Sequence, residues 1–166
     1  MVATVLIREK NGAGETATDK TSGTIRFKNA DNATVDANNP MVIPPSGSDF
    51  SYEKYLRLNI SVAPDTQIEN LQAYSDGASG FGTGVSAYYK TAGSYTQPTE
   101  PASAAGFTDF FTATSGAPID MDATNTGPFT GTGDIGDYLI MLLEVASTAT
   151  QGALTAETLT FSFDES

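Results

Sequence analysis

The stretch Asp137-Tyr-Leu-Ile-Met-Leu-Leu-Glu-Val145, followed by Glu157-Thr-Leu-Thr-Phe-Ser-Phe-Asp-Glu165, decides how the chain folds. In the second segment Leu159, Phe161 and Phe163 fall on one side and Thr158, Thr160, Ser162 and Asp164 on the other. That is the period of two of a strand with one wet face. The first segment has no polar side: Leu139, Met141 and Leu143 point one way, and Tyr138, Ile140 and Leu142 the other, with Glu144 at the end. Such a strand needs a cover on both faces, from within the chain or from a neighbouring subunit. Its length, the Gly136 boundary and the β-rich neighbour favour a strand over a helix.

Moving outward, Phe50, Tyr52, Leu56, Leu58, Ile60 and Val62 share parity, and Lys54 interrupts them. This predicts a core strand over 50–62 with a bulge or bend at Lys54. Burying its four aliphatic side chains would contribute roughly 6–12 kcal/mol before entropy is subtracted. Residues 2–8, 24–28, 68–74 and 85–90 read as further strands, with short ones at 34–36 and 118–122. Pro40 to Pro45 reads as an extended edge segment, because proline cannot donate to a ladder. Residues 9–23 are polar, carry Gly12 and Gly14, and have little to bury, so they read as a flexible loop or an arm ordered by a neighbour. The connection 146–156 is too long for a tight hairpin and suits an arch between two sheets. Eight to ten short strands without a long amphipathic helix predict an all-β protein, one domain over 1–166, built as a single β-sandwich of jelly-roll or immunoglobulin-like topology.

Composition narrows the chemistry. The 166 residues include no Cys and no His, which removes disulfides, thiolate nucleophiles, imidazole relays and His- or Cys-ligated metals. The net charge of −12 is unevenly placed. Residues 1–90 carry eight basic and ten acidic side chains, whereas 91–166 carry ten acidic and no basic ones. Free nucleic acid is therefore not an expected partner, since phosphate binding needs clustered cations. The apolar run at the N-terminus is too short to span a membrane and has no basic region before it, so neither an anchor nor a signal peptide is expected.

Four constellations have functional readings. Asp120 and Asp122 on one strand face could flank a sugar, although an exposed acidic face explains them as well. Asp120, Asp122, Asn125, Asp134 and Asp137 offer hard oxygen ligands for calcium, but their spacing departs from the EF-hand pattern. Tyr88, Tyr89 and Tyr95, beside the glycine-rich segment 76–84, could form a carbohydrate-binding surface. Arg8, Lys10, Lys20, Arg26 and Lys28 crowd the N-terminal part and read as a docking surface for an acidic partner; Tyr138, Ile140 and Leu142 supply an apolar face for subunit contact, with Phe107, Phe110 and Phe111 as the internal alternative for its cover. No cofactor, metal or catalytic residue is expected.

Two sets of runs carry a resemblance: Ser51-Tyr-Glu-Lys-Tyr-Leu-Arg-Leu58 with Tyr74-Ser-Asp-Gly77 and Gly82-Thr-Gly-Val85, and Tyr138 to Val145 with Gly152, Thr155, Glu157 to Phe161 and Asp164-Glu165. Together they resemble small virion-associated proteins of tailed bacteriophages, over about half of the chain. The resemblance implies a non-enzymatic structural protein of the virion, assembled in the host cytoplasm, that decorates or cements a capsid. Its partners would be the major capsid protein or other virion subunits, with self-association into a homo-oligomer. The alternative is a carbohydrate-binding β-sandwich module of a phage tail or fibre.

Overall fold

The computed structural model describes residues 2–166 as an all-β sandwich of two antiparallel sheets. Ten strands follow one another in the chain: β1 (Thr4–Asn11), β2 (Thr16–Asp19), β3 (Ser48–Phe50), β4 (Lys54–Val62), β5 (Ile68–Tyr74), β6 (Val85–Ala92), β7 (Thr108–Asp109), β8 (Ile119–Asp120), β9 (Gly133–Ala146) and β10 (Thr160–Glu165). The large sheet has the order β2-β1-β4-β9-β6-β7, with β3 also paired to β9, and the small sheet the order β10-β5-β8.

Strand β9 is the axis of the molecule. It lies between β4 and β3 on one side and β6 on the other, and Ile135 to Leu143 are buried without a break. Leu139, Met141 and Leu143 enter the core between the sheets. Tyr138 and Ile140 face the other way and pack with Tyr55, Ala92, Tyr95 and Phe107. The second cover is thus intramolecular: the loop after β6 folds over the outer face. Of the three phenylalanines considered for that role only Phe107 performs it, since Phe110 and Phe111 belong to the inner core.

The bulge expected at Lys54 is present. Phe50 pairs with Glu144 and Lys54 with Met141, so four steps along one strand match three along the other. Ser51 occupies the break, accepting from the Leu143 amide through Oγ and donating its own amide to the Leu143 carbonyl. Of the four aliphatic residues of β4, Leu56, Leu58 and Ile60 are buried, while Val62 is 38% exposed. A second irregularity in β9 sits opposite Arg57, where Leu56 pairs with Leu139 but Leu58 with Ile135. Gly136 there has φ +67, and an added Cβ would stand 2.5 Å from both Leu71 Cδ1 and Met121 O, so only glycine fits. The Arg57 Nε donates to the displaced Gly136 carbonyl at 3.0 Å.

Three expectations are corrected. Residues 9–23 are neither a flexible loop nor an arm that a neighbour must order: β1 runs on to Asn11, turns at Gly12 to Glu15, and returns as β2. A polar hairpin needs no apolar side chains when its backbone extends an existing sheet, and the Tyr95 hydroxyl donating to the Gly12 carbonyl pins the tip. Residues 24–28 and 34–36 form no strand, because both lie in the irregular segment 20–47. Residues 40–45 are likewise outside any ladder. The short strand at 118–122 narrows to β8, and the strand reading of 68–74 holds as β5. The connection from β9 to β10 does arch from the large sheet to the small one.

Candidate functional site

The inner face of the large sheet has two roofs. Toward Gly136 it is covered by the small sheet, through Leu71, Ile119 and Met121. Toward the other end the roof consists of the irregular segments 20–47 and 147–159. Three lysines hold the first of these segments. Lys20 Nζ donates to the carbonyls of Thr24 at 3.0 Å and Ala33 at 2.8 Å. Lys28 Nζ donates to the Thr34 carbonyl at 3.1 Å and the Asp36 carboxylate at 2.8 Å. Lys54 Nζ, on β4, donates to the Asn32 carbonyl at 2.7 Å. Loop carbonyls that no ladder satisfies are thus satisfied by ammonium groups, each side chain burying its methylene stem on the way.

Glu9 is the shared counter-ion of Lys20 and Lys54, while Lys28 pairs with Asp36. It is fully buried, with Oε1 3.2 Å from Lys54 Nζ and Oε2 3.4 Å from Lys20 Nζ. Asn11, two residues on along the same face of β1, donates through Nδ2 to Glu9 Oε1 at 3.1 Å. Because Lys10 pairs with Tyr55 in the register, Asn11 stands opposite Lys54. Burial pushes the Lys54 ammonium below its ordinary pKa, and the charge of Glu9 opposes this without cancelling it.

Beside this cluster the roof is open. A groove of about 1160 Å³ runs over a floor of Val85, Ala87, Met141, Leu143 and Val145, between walls formed by segments 21–27, 40–43 and 149–159. Among its lining residues only Lys20, Arg26 and Glu157 are charged, in a chain whose net charge is −12. Val42 and Leu154, 60% and 40% exposed, stand on its walls.

The residues expected to form a docking surface are placed differently. Lys10 is buried and bound to Asp134 at 2.5 Å, which, with Asn59, keeps the Asp134 carboxyl below its ordinary range although burial alone would raise it. Lys20 and Lys28 are buried as described. Tyr138, Ile140 and Leu142 are covered by the chain itself. Of the eight residues only Arg26 is exposed and Arg8 half-buried. Six of the expected docking residues thus serve the interior: Lys10, Lys20 and Lys28 satisfy oxygens of the chain itself, and Tyr138, Ile140 and Leu142 are buried by it.

The other constellations also separate. Asp137 is buried and its carboxylate accepts from the amides of Thr124 and Asn125 and from the Asn125 side chain, all at 2.9 Å, so it caps the loop before β9. Asp134 belongs to Lys10. Asp120 and Asp122 do lie together; burial, the hydrogen bond to Asp120 and its charge push the Asp122 carboxyl up. Among the described residues no group of three or more acidic side chains is arranged to hold a metal ion. Tyr88 and Tyr89 point to opposite faces, Tyr88 to Glu144 and Tyr89 to Phe110, and Tyr95 lies in the outer aromatic cluster, so the three make no common platform.

Sequence reasoning missed Glu9 and Asn11. The signal was available: Val5, Ile7, Glu9 and Asn11 continue one face of β1, and Lys54 stands on the apolar face of β4, so three polar side chains were directed into the core. No family model matches the chain, and neither a curated protein nor a solved structure matches it. Among the described residues no helix is long and apolar enough to cross a membrane.

Proposed function

We propose that the protein is a non-enzymatic structural subunit of a phage virion, which decorates or cements the capsid by seating an extended segment of a neighbouring capsid subunit in the groove over Met141 and Leu143. The observation that carries this reading is the contrast between an acidic chain and a long, nearly uncharged, apolar groove open to its exterior. A partner segment lying there would gain about 25 cal/mol for each Å² of apolar surface removed from water. Because the walls are irregular segments and not paired strands, they can move apart for entry without breaking a ladder. Separating two capsid subunits bridged in this way would also require withdrawing the segment, which is the mechanical content of cementing.

The test is co-sedimentation with empty capsids. Val42→Asp and Leu154→Asp place charges on the groove walls at exposed positions, so the fold is expected to survive, and each should weaken capsid binding by about tenfold or more, as loss of a binding hot spot does. Val2→Asp, at a position 79% exposed and outside the groove lining, serves as control. Equal binding by all three variants, or retention on glycans in place of capsids, would remove this reading.

A further inference from the structure

The cluster at Glu9 has an arrangement that salt bridging alone does not require. A single carboxylate oxygen, Oε1, receives the amine of Lys54 at 3.2 Å and the amide nitrogen of Asn11 at 3.1 Å. The separation of the two nitrogens therefore cannot exceed the sum of those distances. Lys54, Glu9 and Asn11 are 1%, 0% and 7% exposed, and they stand on adjacent antiparallel strands in the interior of a sandwich.

We infer that Lys54 and Asn11 become joined by an intramolecular isopeptide bond, with Glu9 as the proton-transfer group. The step balances without any co-reactant. Glu9 takes a proton from the Lys54 ammonium, and the free amine attacks Cγ of Asn11. The Nζ–Cγ bond forms, the Cγ–Nδ2 bond breaks with its electron pair going to nitrogen, and the proton carried by Glu9 together with one from Nζ passes to that departing nitrogen, which leaves as ammonium. Electron pairs are conserved, and nothing is oxidised or reduced.

Three features of the site favour the reaction. Burial works against the charged form of Lys54, so the nucleophilic amine is more accessible than on an exposed lysine. Fixed proximity replaces an encounter, and well-oriented intramolecular groups reach effective concentrations on the order of 10⁵–10⁸ M. Exclusion of water leaves the amine without a hydrolytic competitor. The position of Lys20, 3.4 Å from Oε2, then has a purpose: once Lys54 is acylated and uncharged, Lys20 remains as the counter-ion of Glu9. Glu9 is the catalytic residue of this reaction, and Lys20 a positioning residue. The product ties β1 covalently to β4 and closes a long loop that includes the whole segment 20–47.

Intact-mass spectrometry of the purified full chain tests this directly. The expected mass is lower than that of the sequence by one ammonia, and proteolysis should release a branched peptide containing Asn11 and Lys54. Lys54→Arg and Glu9→Gln should return to their full sequence masses. Asn11→Asp, which would lose water where the native chain loses ammonia, should converge on the cross-linked native mass. Full mass in the native chain after prolonged incubation overturns the inference. So does an ammonia loss that persists in Lys54→Arg, because that loss identifies a succinimide at Asn11-Gly12.

Discussion

The two ends of the inner sheet face are built by different means. At one end Leu71 and Ile119 come from strands and Met121 directly follows β8, the roof is a hydrogen-bonded sheet, and the contact is apolar. At the other end the roof is an irregular segment whose backbone oxygens are collected by Lys20, Lys28 and Lys54, with Ile25, Phe27, Met41 and Ile43 as its apolar share. The first end is cohesive because water is excluded from matched surfaces. The second is cohesive because a few buried charges replace the missing ladder, and it is there that the groove opens.

The largest effect is expected at the sheet roof. Leu71→Ala, at a position 1% exposed, should cost about 2–5 kcal/mol, read as a lower urea midpoint with an unchanged slope. Lys28→Met keeps the buried stem but removes the ammonium from the Thr34 and Asp36 oxygens, and should cost about 1.5–3 kcal/mol. Its signature should differ in kind: amide exchange should quicken across residues 24–36 while β9 stays protected. If Lys28→Met loosened β9 as much as Leu71→Ala does, the two ends would be one cooperative unit and the distinction would fail.

The outer face gives a prediction governed by pH. Burial, followed by the negative charges of Asp31 and Glu15, pushes the Tyr95 phenol up to about 12. Burial and the hydrogen bond to Glu15 do the same for Tyr138, also to about 12. Unfolded tyrosine ionises near 10.0. Between about pH 10 and 12 the unfolded chain has therefore released protons that the folded chain retains, and stability falls as pH rises. Tyrosinate absorbance should show these phenols ionising late, together with loss of tertiary structure. Uniform ionisation of all seven tyrosines near pH 10 in a folded chain would contradict the buried cluster. The smallest stability effect is expected on the groove walls, where Leu154→Asp should stay within about 0.5 kcal/mol of the native chain in thermal unfolding.

The strands were legible in the sequence wherever one parity was apolar. The two apolar faces of β9, the dry face of β4, the displaced Lys54 and the alternation of Leu159, Phe161 and Phe163 all survive in three dimensions. Thr24 to Lys28 misled because its alternation is also real: Ile25 and Phe27 do pack on the core and Arg26 is exposed. What it lacks is a neighbouring strand, and pairing is not written in a single segment. Residues 9–23 misled in the opposite sense, since backbone pairing orders them and the side chains they bury, Glu9, Lys10, Asn11 and Lys20, are polar. The site was less legible than the fold. Clustered basic residues look the same in a sequence whether they face solvent or an internal carboxylate.

Local pattern is enough to make this chain an all-β protein organised on the stretch around Leu139 to Leu143, because side chains alternate between faces as a local consequence of strand geometry. Composition leaves no thiol or imidazole chemistry available. It took the folded chain to show that the second face of β9 is covered from within, that Lys10, Lys20, Lys28 and Lys54 are buried, and that Glu9, Asn11 and Lys54 meet. Those outcomes depend on which strand lies beside which and in what register, a property of contacts between residues far apart in the chain.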